Sequence, residues 1–271
     1  MELKEIMREL DGDDTDYYVN HMHLSAVETK THQHTKGQLL YAEGGIVHIF
    51  VEEKHWYLPA RCFMWIPANT QHSILTYSKK VDLFNIYFIK DSNEDSFFAN
   101  TNIYFANDLL REMILFTAKW FGKITKDKRP KYYFLRALKE NLPLIEATRV
   151  PIMTQHPFPK DPVLFEIAAF LSNNLETNYT IEEIAEKFGL STRTLSRKFK
   201  ESLGMNYVRF LRSIRITKAF QLITEKQHNM YEIALMIGYS SLTAFSNIFQ
   251  RVSGIRPSDY AKLINRNNSQ S

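Results

Sequence analysis

Apolar positions recur along this chain with two different periods. Over roughly the first hundred residues they alternate or run in short stretches, as in LLYAEGGIVHIFVEEKHWYLPARCFMWIPANTQHSI. The stretches are separated by turn residues at Gly44-Gly45, at 52–54 and at 67–69, the texture of a small antiparallel barrel. Beyond them the period becomes helical. NDLLREMILFTAKWF and KYYFLRALKENLPLI place Leu109, Met113, Phe116 and Trp120, then Phe134, Leu138 and Leu142, at helical spacing. A polar turn, GKITKDKRP, closed by Pro130, lies between them, and VPIMTQHPFPKDP carries four prolines that break helices and mark a linker. The expected organisation is a β-barrel domain over residues 1–100, connector helices over 101–150, a linker over 151–160 and an all-helical domain over 161–271.

The helical domain contains one segment twice, IEEIAEKFGLSTRTLSRKF from Ile181 and MYEIALMIGYSSLTAFSNIF from Met230. Ile181, Ile184, Ala185 and Phe188 fall on one helical face before Gly189 breaks the pattern; Ile233, Ala234 and Ile237 repeat that face before Gly238. Ser191 in the first copy, and Ser240 and Ser241 in the second, can cap a new helix, and Thr180 with Glu183 reads as a capping box for the preceding one. The new helices carry Leu195 and Phe199, or Phe245 and Phe249, followed by Gly204 or Gly254 and a closing aromatic, Phe210 or Tyr260. The copies match throughout, with one extra residue in the second turn.

A helix that buries Leu195 and Phe199 turns Arg193, Ser196, Arg197 and Lys200 to another face, because residues three and four apart are neighbours. That basic, polar face suits the major groove of B-DNA, where arginine can pair with guanine through two bonds and serine or threonine can bond either base class. A single copy could equally be a helical hairpin with a solvated charged face. Two copies with matching glycines and aromatics argue against that.

These residues resemble the DNA-binding domain of AraC-type transcription regulators, from about Asp161 to Ile264, most clearly in IAEKFGLSTRTLSRKFKESLG and IALMIGYSSLTAFSNIFQRVSGIRPSDY. The resemblance implies two helix-turn-helix modules joined by a long helix, here Tyr207 to Glu225, with recognition helices in successive major grooves. Arg193, Ser196 and Arg197 would face bases in the first module, with Lys200 beside them; Leu242, Thr243, Ser246 and Asn247 would do so in the second. Members often carry arginine at the position of Asn247 and Lys or Arg at that of Gln250, which puts guanine readout by the second module in doubt. Asn247 offers adenine a matched donor and acceptor instead. On the linking helix Arg209, Arg212, Arg215 and Lys218 are candidates for phosphate contacts, or solvated surface charges.

Charge agrees with this division. The net charge is +4, with about +5 from Lys160 onward and about −1 before it. A single cysteine, Cys62, excludes an intrachain disulfide, and its setting in RCFMWIP reads as a buried thiol. No apolar run has the length of a membrane span, and MELKEIMREL is too charged for a signal peptide. The expectation is a cytoplasmic protein with no membrane partner.

Seven of the nine histidines stand in the first hundred residues. His32-x-His34-x3-Gln38, then Pro67-x-Asn69-x2-His72, resembles the two cupin motifs, with Gln38 for the usual glutamate and Asn69 for glycine. In a strand His32 and His34 would share the interior face, where His72 could meet them. Three imidazoles can hold a divalent metal such as zinc as an open site, although the neutral Gln38 weakens it. The same side chains could contact a small-molecule effector or serve structural hydrogen bonding. Trp56, Trp65, Tyr41, Phe63 and Tyr87 are candidates for lining a pocket or for plain core.

The whole reads as a two-domain, sequence-specific regulator that is not an enzyme. It has a cupin-like effector-sensing barrel, connector helices that pack on that barrel or make a homodimer, and a tandem helix-turn-helix domain. Its partners would be double-stranded DNA, a small-molecule effector and, if it activates, RNA polymerase. The rival is a metal-dependent cupin enzyme with a helical domain attached.

Overall fold

The computed structural model describes residues 3–12, 15–24, 29–43, 46–52, 54–75, 81–92, 95–146, 155–157 and 161–265. The chain divides into two compact units, one of residues 1–52 and 58–152, the other of 53–57 and 153–271. Before the prolines the elements run α1 (Leu3–Leu10), β1 (Tyr17–Leu24), β2 (Gly37–Glu43), β3 (Ile46–Val51), β4 (Lys54–Pro59), β5 (Cys62–Ile66), β6 (His72–Leu75), β7 (Val81–Phe88), β8 (Asn102–Phe105), α2 (Asp108–Phe116), β9 (Phe121–Ile124) and α3 (Arg129–Glu146). They are followed by β10 (Gln155–Pro157), which pairs antiparallel with β4.

The first unit is organised by a six-stranded antiparallel sheet in the order β8-β5-β2-β7-β1-β9. β3 and β6 pair antiparallel in a second sheet. Alternation along each strand gives the larger sheet two different faces. Leu39, Tyr41, Phe63, Trp65, Ile86 and Phe88 fall on one, packed with Leu110, Ile114, Leu135, Leu138 and Leu142 of α2 and α3. Trp65, Tyr41 and Phe63 are therefore the hydrophobic core beneath the helices. Tyr87 lies on the opposite face with Tyr18, covered by Ile6 and Leu10 of α1.

The connector differs from the pattern read in the sequence in three respects. The buried stripe of α2 is Leu110 and Ile114, one position along from the expected one, while Leu109 and Phe116 are 61% and 65% exposed. Residues 102–105 and 121–124 are strands of the main sheet, β9 pairing with β1. Pro130 falls inside the first turn of α3, where no amide hydrogen is required. The apolar faces of both helices thus pack on their own sheet.

The second unit continues with α4 (Pro162–Ser172), α5 (Ile181–Lys187), α6 (Thr192–Leu203), α7 (Tyr207–Glu225), α8 (Met230–Met236), α9 (Leu242–Ser253) and α10 (Pro257–Asn265). It has two equivalent aromatic cores. In one Phe199 meets Tyr207 and Phe210 with ring centroids 5.7 and 5.2 Å apart. In the other Phe249 meets Phe220 at 4.6 Å and Tyr260 at 6.3 Å. α7 supplies Tyr207 and Phe210 to the first and Phe220 to the second. No helix among the described residues is long and apolar enough to cross a membrane.

Gly37 shows how tightly the sheet is packed. A Cβ there would stand 2.3 Å from Cζ2 of Trp65 and 2.6 Å from its Cη2. The indole is 1% exposed and donates its Nε1 hydrogen to the Phe98 carbonyl at 3.0 Å, so it has no room to retreat. Gly37→Ala should therefore cost about 1–3 kcal/mol by overpacking, measured from urea unfolding; an unchanged midpoint would show that the ring can slide aside.

Candidate nucleic-acid interface

Both helix-turn-helix modules are built from the same local devices. Thr180 caps α5, its amide donating to Glu183 Oε2 at 2.7 Å while the Glu183 amide donates to Thr180 Oγ1 at 3.2 Å. Asn229 and Glu232 make the same reciprocal pair at the start of α8. This second box is legible in the sequence as N-x-x-E, the amide counterpart of the hydroxyl form at Thr180, and adds Asn229 and Glu232 to the capping residues expected above. Gly189 and Gly238 then turn the chain with φ of 66° and 80°, a left-handed conformation that glycine adopts without steric penalty. Ser191 and Ser241 accept the amide hydrogens of Thr194 and Ala244, both at 3.1 Å, and start α6 and α9. Each of these helices has 12 residues and ends on a left-handed glycine, Gly204 or Gly254.

Burial orients the second helix of each module. Leu195, Phe199 and Leu203 are buried on α6, and Arg193, Ser196, Arg197 and Lys200 are exposed on its other side. Arg197 approaches Glu201 at 3.9 Å, but both side chains are 67% exposed, so this pair holds the guanidinium weakly and leaves it available. Lys198 points elsewhere, to Asp161, the cap of α4. On α9, Phe245 and Phe249 are buried, Leu242, Thr243 and Asn247 are exposed and Ser246 is half-buried. The first helix therefore presents three cations and the second none among the corresponding positions.

The linking helix corrects one expectation. Arg209 is exposed and Arg212 and Lys218 are half-buried, but Arg215 is 7% exposed and faces the protein. Its Nη2 donates to the carbonyls of Leu175 and Thr177 at 3.1 and 3.3 Å, and its guanidinium carbon lies 5.6 Å from the centre of the Tyr239 ring. It cannot reach a phosphate from there.

In the first unit the histidines of the two motifs do cluster, though not on one strand. His32 joins His72 in an isolated antiparallel bridge, and 33–36 lie outside any strand. Ring centroids are 4.4 Å apart for His32 and His72, 5.1 Å for His34 and His72, and 6.2 Å for His32 and His34. Each ring has Nδ1 against a backbone carbonyl, of Lys30, Lys36 and Thr70 respectively for His32, His34 and His72, so the proton of a neutral ring sits on Nδ1. His34 Nε2 is 3.2 Å from Gln38 Oε1; Gln38 Nε2 donates to Asn85 Oδ1 at 2.8 Å; Asn85 Nδ2 donates to the Asn20 carbonyl at 2.9 Å. This polar chain crosses three neighbouring strands. A neutral His34 can satisfy only one of its two acceptors. His72 Nε2 is buried without a hydrogen-bond partner. Among the described residues no group of three or more His, Cys, Asp or Glu is placed to hold a metal ion, so the cluster does not fit the metal centre considered above.

Comparison with known proteins adds the following. Residues 184–263 match a family model described as a helix-turn-helix domain. The chain is 33% identical over 99 residues to the HTH-type transcriptional activators RhaS of Salmonella arizonae and Salmonella newport. The match covers 36% of this chain and 36% of each relative, so the chain spans little more than a third of their length. Among solved structures it is similar to the C-terminal domain of AraT, a response regulator from Geobacillus stearothermophilus, with 28% identity, 38% of this chain, 86% of that one and a TM-score of 0.36. It is also similar to ToxT from Vibrio cholerae, with 14% identity, 92% of this chain, 99% of that one and a TM-score of 0.39.

Burial holds His21 and His48 at about 4 and His72 at about 3, below the ordinary imidazole value of 6.5. Between about pH 6.5 and pH 4 the unfolded chain therefore binds more protons than the folded one, and stability falls as pH falls. Urea unfolding should give a constant free energy above about pH 7 and a decline below about 6.5, by at most about 1.4 kcal/mol per pH unit for each histidine. His72→Asn should reduce that slope by one proton. A flat profile between pH 7 and 5 would contradict the burial of these rings.

Proposed function

We propose that this chain, whose C-terminal domain is a helix-turn-helix domain of the AraC type, is a sequence-specific transcription regulator acting on double-stranded DNA. The observation that carries the reading is the repeated module. Two capped helices of equal length bury matching apolar residues, and the first turns Arg193, Ser196, Arg197 and Lys200 to solvent along one side. An α-helix fits the major groove, where a guanidinium can donate two bonds to O6 and N7 of guanine. Lys200, further along, suits a phosphate, which positions the protein without reading sequence. In the second module Thr243, Ser246 and Asn247 would read by neutral hydrogen bonds, Asn247 pairing with adenine, and Leu242 could meet a thymine methyl group.

On this reading residues 161–271 bind DNA, 151–160 link, 101–150 connect and 1–100 sense a small-molecule effector in the β-rich domain. The effector would shift DNA affinity by as much as it prefers one arrangement of the protein over another. An effector that exchanges hydrogen bonds with His34, Gln38 or His72 is supported by the buried, unpartnered Nε2 of His72 and by Gln38 Oε1, which faces the unprotonated Nε2 of a neutral His34. The protein would act in the cytoplasm, without enzymatic activity, as a monomer or homodimer, and would contact RNA polymerase if it activates. The metal-dependent enzyme has less support, because the described histidines do not assemble a metal centre.

Selection of bound sites from random DNA by the full chain tests the reading. Two short half-sites about one helical turn apart are expected, and enrichment of nothing would defeat the proposal. On the recovered site Arg197→Ala should cost about 1–3 kcal/mol if Arg197 reads a guanine, with discrimination at that base lost. Equal weakening on every sequence, with a smaller salt dependence, would mark a phosphate contact instead.

A further inference from the structure

We propose that Arg215 is a positioning residue that sets the spacing between the two half-sites this chain recognises, an inference that rests on the DNA-binding reading above. α7 joins the modules, and its 19 residues span roughly 28 Å at the rise of an α-helix. A helix of that length fixes how far apart the modules are. It leaves each free to pivot about its end, at the Asn206 cap or at Lys226, which turns the chain with φ of 57°. Successive major grooves on one DNA face tolerate little such pivoting, because a base pair of displacement moves a contact by several ångströms and rotates it about the axis.

The guanidinium of Arg215 removes this freedom by touching both modules. On one side it donates to the carbonyls of Leu175 and Thr177, in the segment that leads from α4 into α5. On the other it meets the turn between α8 and α9. There a Cβ on Gly238 would stand 2.3 Å from Nη2 and 2.3 Å from the Leu175 carbonyl oxygen. Gly238 is thus seated where the guanidinium and the first module's backbone meet, and the Tyr239 ring lies 5.6 Å from the guanidinium carbon. The turn that aims the second recognition helix is held against the first module at one point. Lysine would not substitute, because an ammonium that took over the two bonds Nη2 makes would lack the flat guanidinium face set toward the tyrosine and against Gly238.

The test uses the full chain and sites recovered by selection with the unmodified protein. Four probes are needed: the complete site, the site with its second half scrambled, and the two half-sites moved apart by one or two base pairs. For Arg215→Lys and Gly238→Ala, affinity for the scrambled probe should stay within about twofold, whereas the complete site should lose about tenfold, since the second contact no longer follows the first at high effective concentration. The penalty for moving the half-sites should shrink in parallel. Tyr239→Leu, which leaves the guanidinium and its carbonyls in place, serves as the milder variant if either of the others fails to melt cooperatively. Retained affinity and spacing preference would overturn the proposal. So would equal loss on complete and scrambled probes, the mark of a residue needed only for folding. If the unmodified protein selects no sequence, the DNA-binding reading itself fails, and this inference falls with it.

Discussion

A guanidinium buried between two similar modules is the constraint on which the C-terminal unit turns. Burying a cation is expensive unless its hydrogens are placed; Arg215 places those of Nη2 on two carbonyls and sets its face toward a tyrosine, while its Nε is buried without a hydrogen-bond partner. Its burial pulls its pKa down, with Tyr239 and Tyr207 countering, yet a guanidinium stays charged at any physiological pH. The arrangement makes two demands on Gly238 together, a left-handed backbone and no side chain. The equivalent Gly189 meets only the first, since a Cβ there would enter open space. The two halves of the repeat are therefore alike in construction and unlike in what depends on them.

The first unit solves a different problem with the same economy. One face of its sheet takes the large aromatics against α2 and α3. The other carries Asn20, Gln38 and Asn85 on adjacent strands; the Gln38 and Asn85 amides are joined in a run of hydrogen bonds that ends on the backbone carbonyl of Asn20. Buried amides have to be paired, and pairing them in series ties the state of His34 at one end to the orientation of Asn85 on the next strand. A ligand that supplies a donor or accepts one at His34 would therefore be felt at Gln38 of β2 and Asn85 of β7. An apolar interior would give it nothing comparable to rearrange.

The repeat is legible in the sequence, with the Asn229 and Glu232 capping box added by the structure, because its signals are local: capping residues, glycines that need positive φ, and apolar residues spaced for one face. The linking helix could be bounded at Tyr207 and Glu225 for the same reason. What escaped was whatever depends on the partner of a side chain. Arg215 reads as one more surface cation in a basic helix, and only the carbonyls brought from forty residues away reveal it as internal. In α2 the apolar residues are dense enough that two stripes one position apart fit the helical period, and the sheet chooses Leu110 and Ile114. Trp65 and Phe63 suggested a pocket because aromatics suit both pockets and cores. Their strand parity against Gln38 settles which face they occupy once the strands are paired.

On the proposed reading the modules also differ in what each contributes on DNA, and the proposed coupling through Arg215 serves that difference. α6 presents Arg193, Arg197 and Lys200, so on the proposed reading the first module carries most of the attraction to phosphates and most of the salt dependence. α9 presents Leu242, Thr243, Ser246 and Asn247 at the corresponding positions, with no cation among them and Arg251 only in its last turn, and on the same reading would gain less from the backbone. A module of that kind binds weakly alone, and its hydrogen bonds count only if the first module delivers it to its groove already oriented. Rigid coupling matters least between two strong binders and most between a strong one and a weak one. On the proposed reading the buried guanidinium is thus placed where the sequence of α9 makes orientation, rather than charge, the limiting quantity.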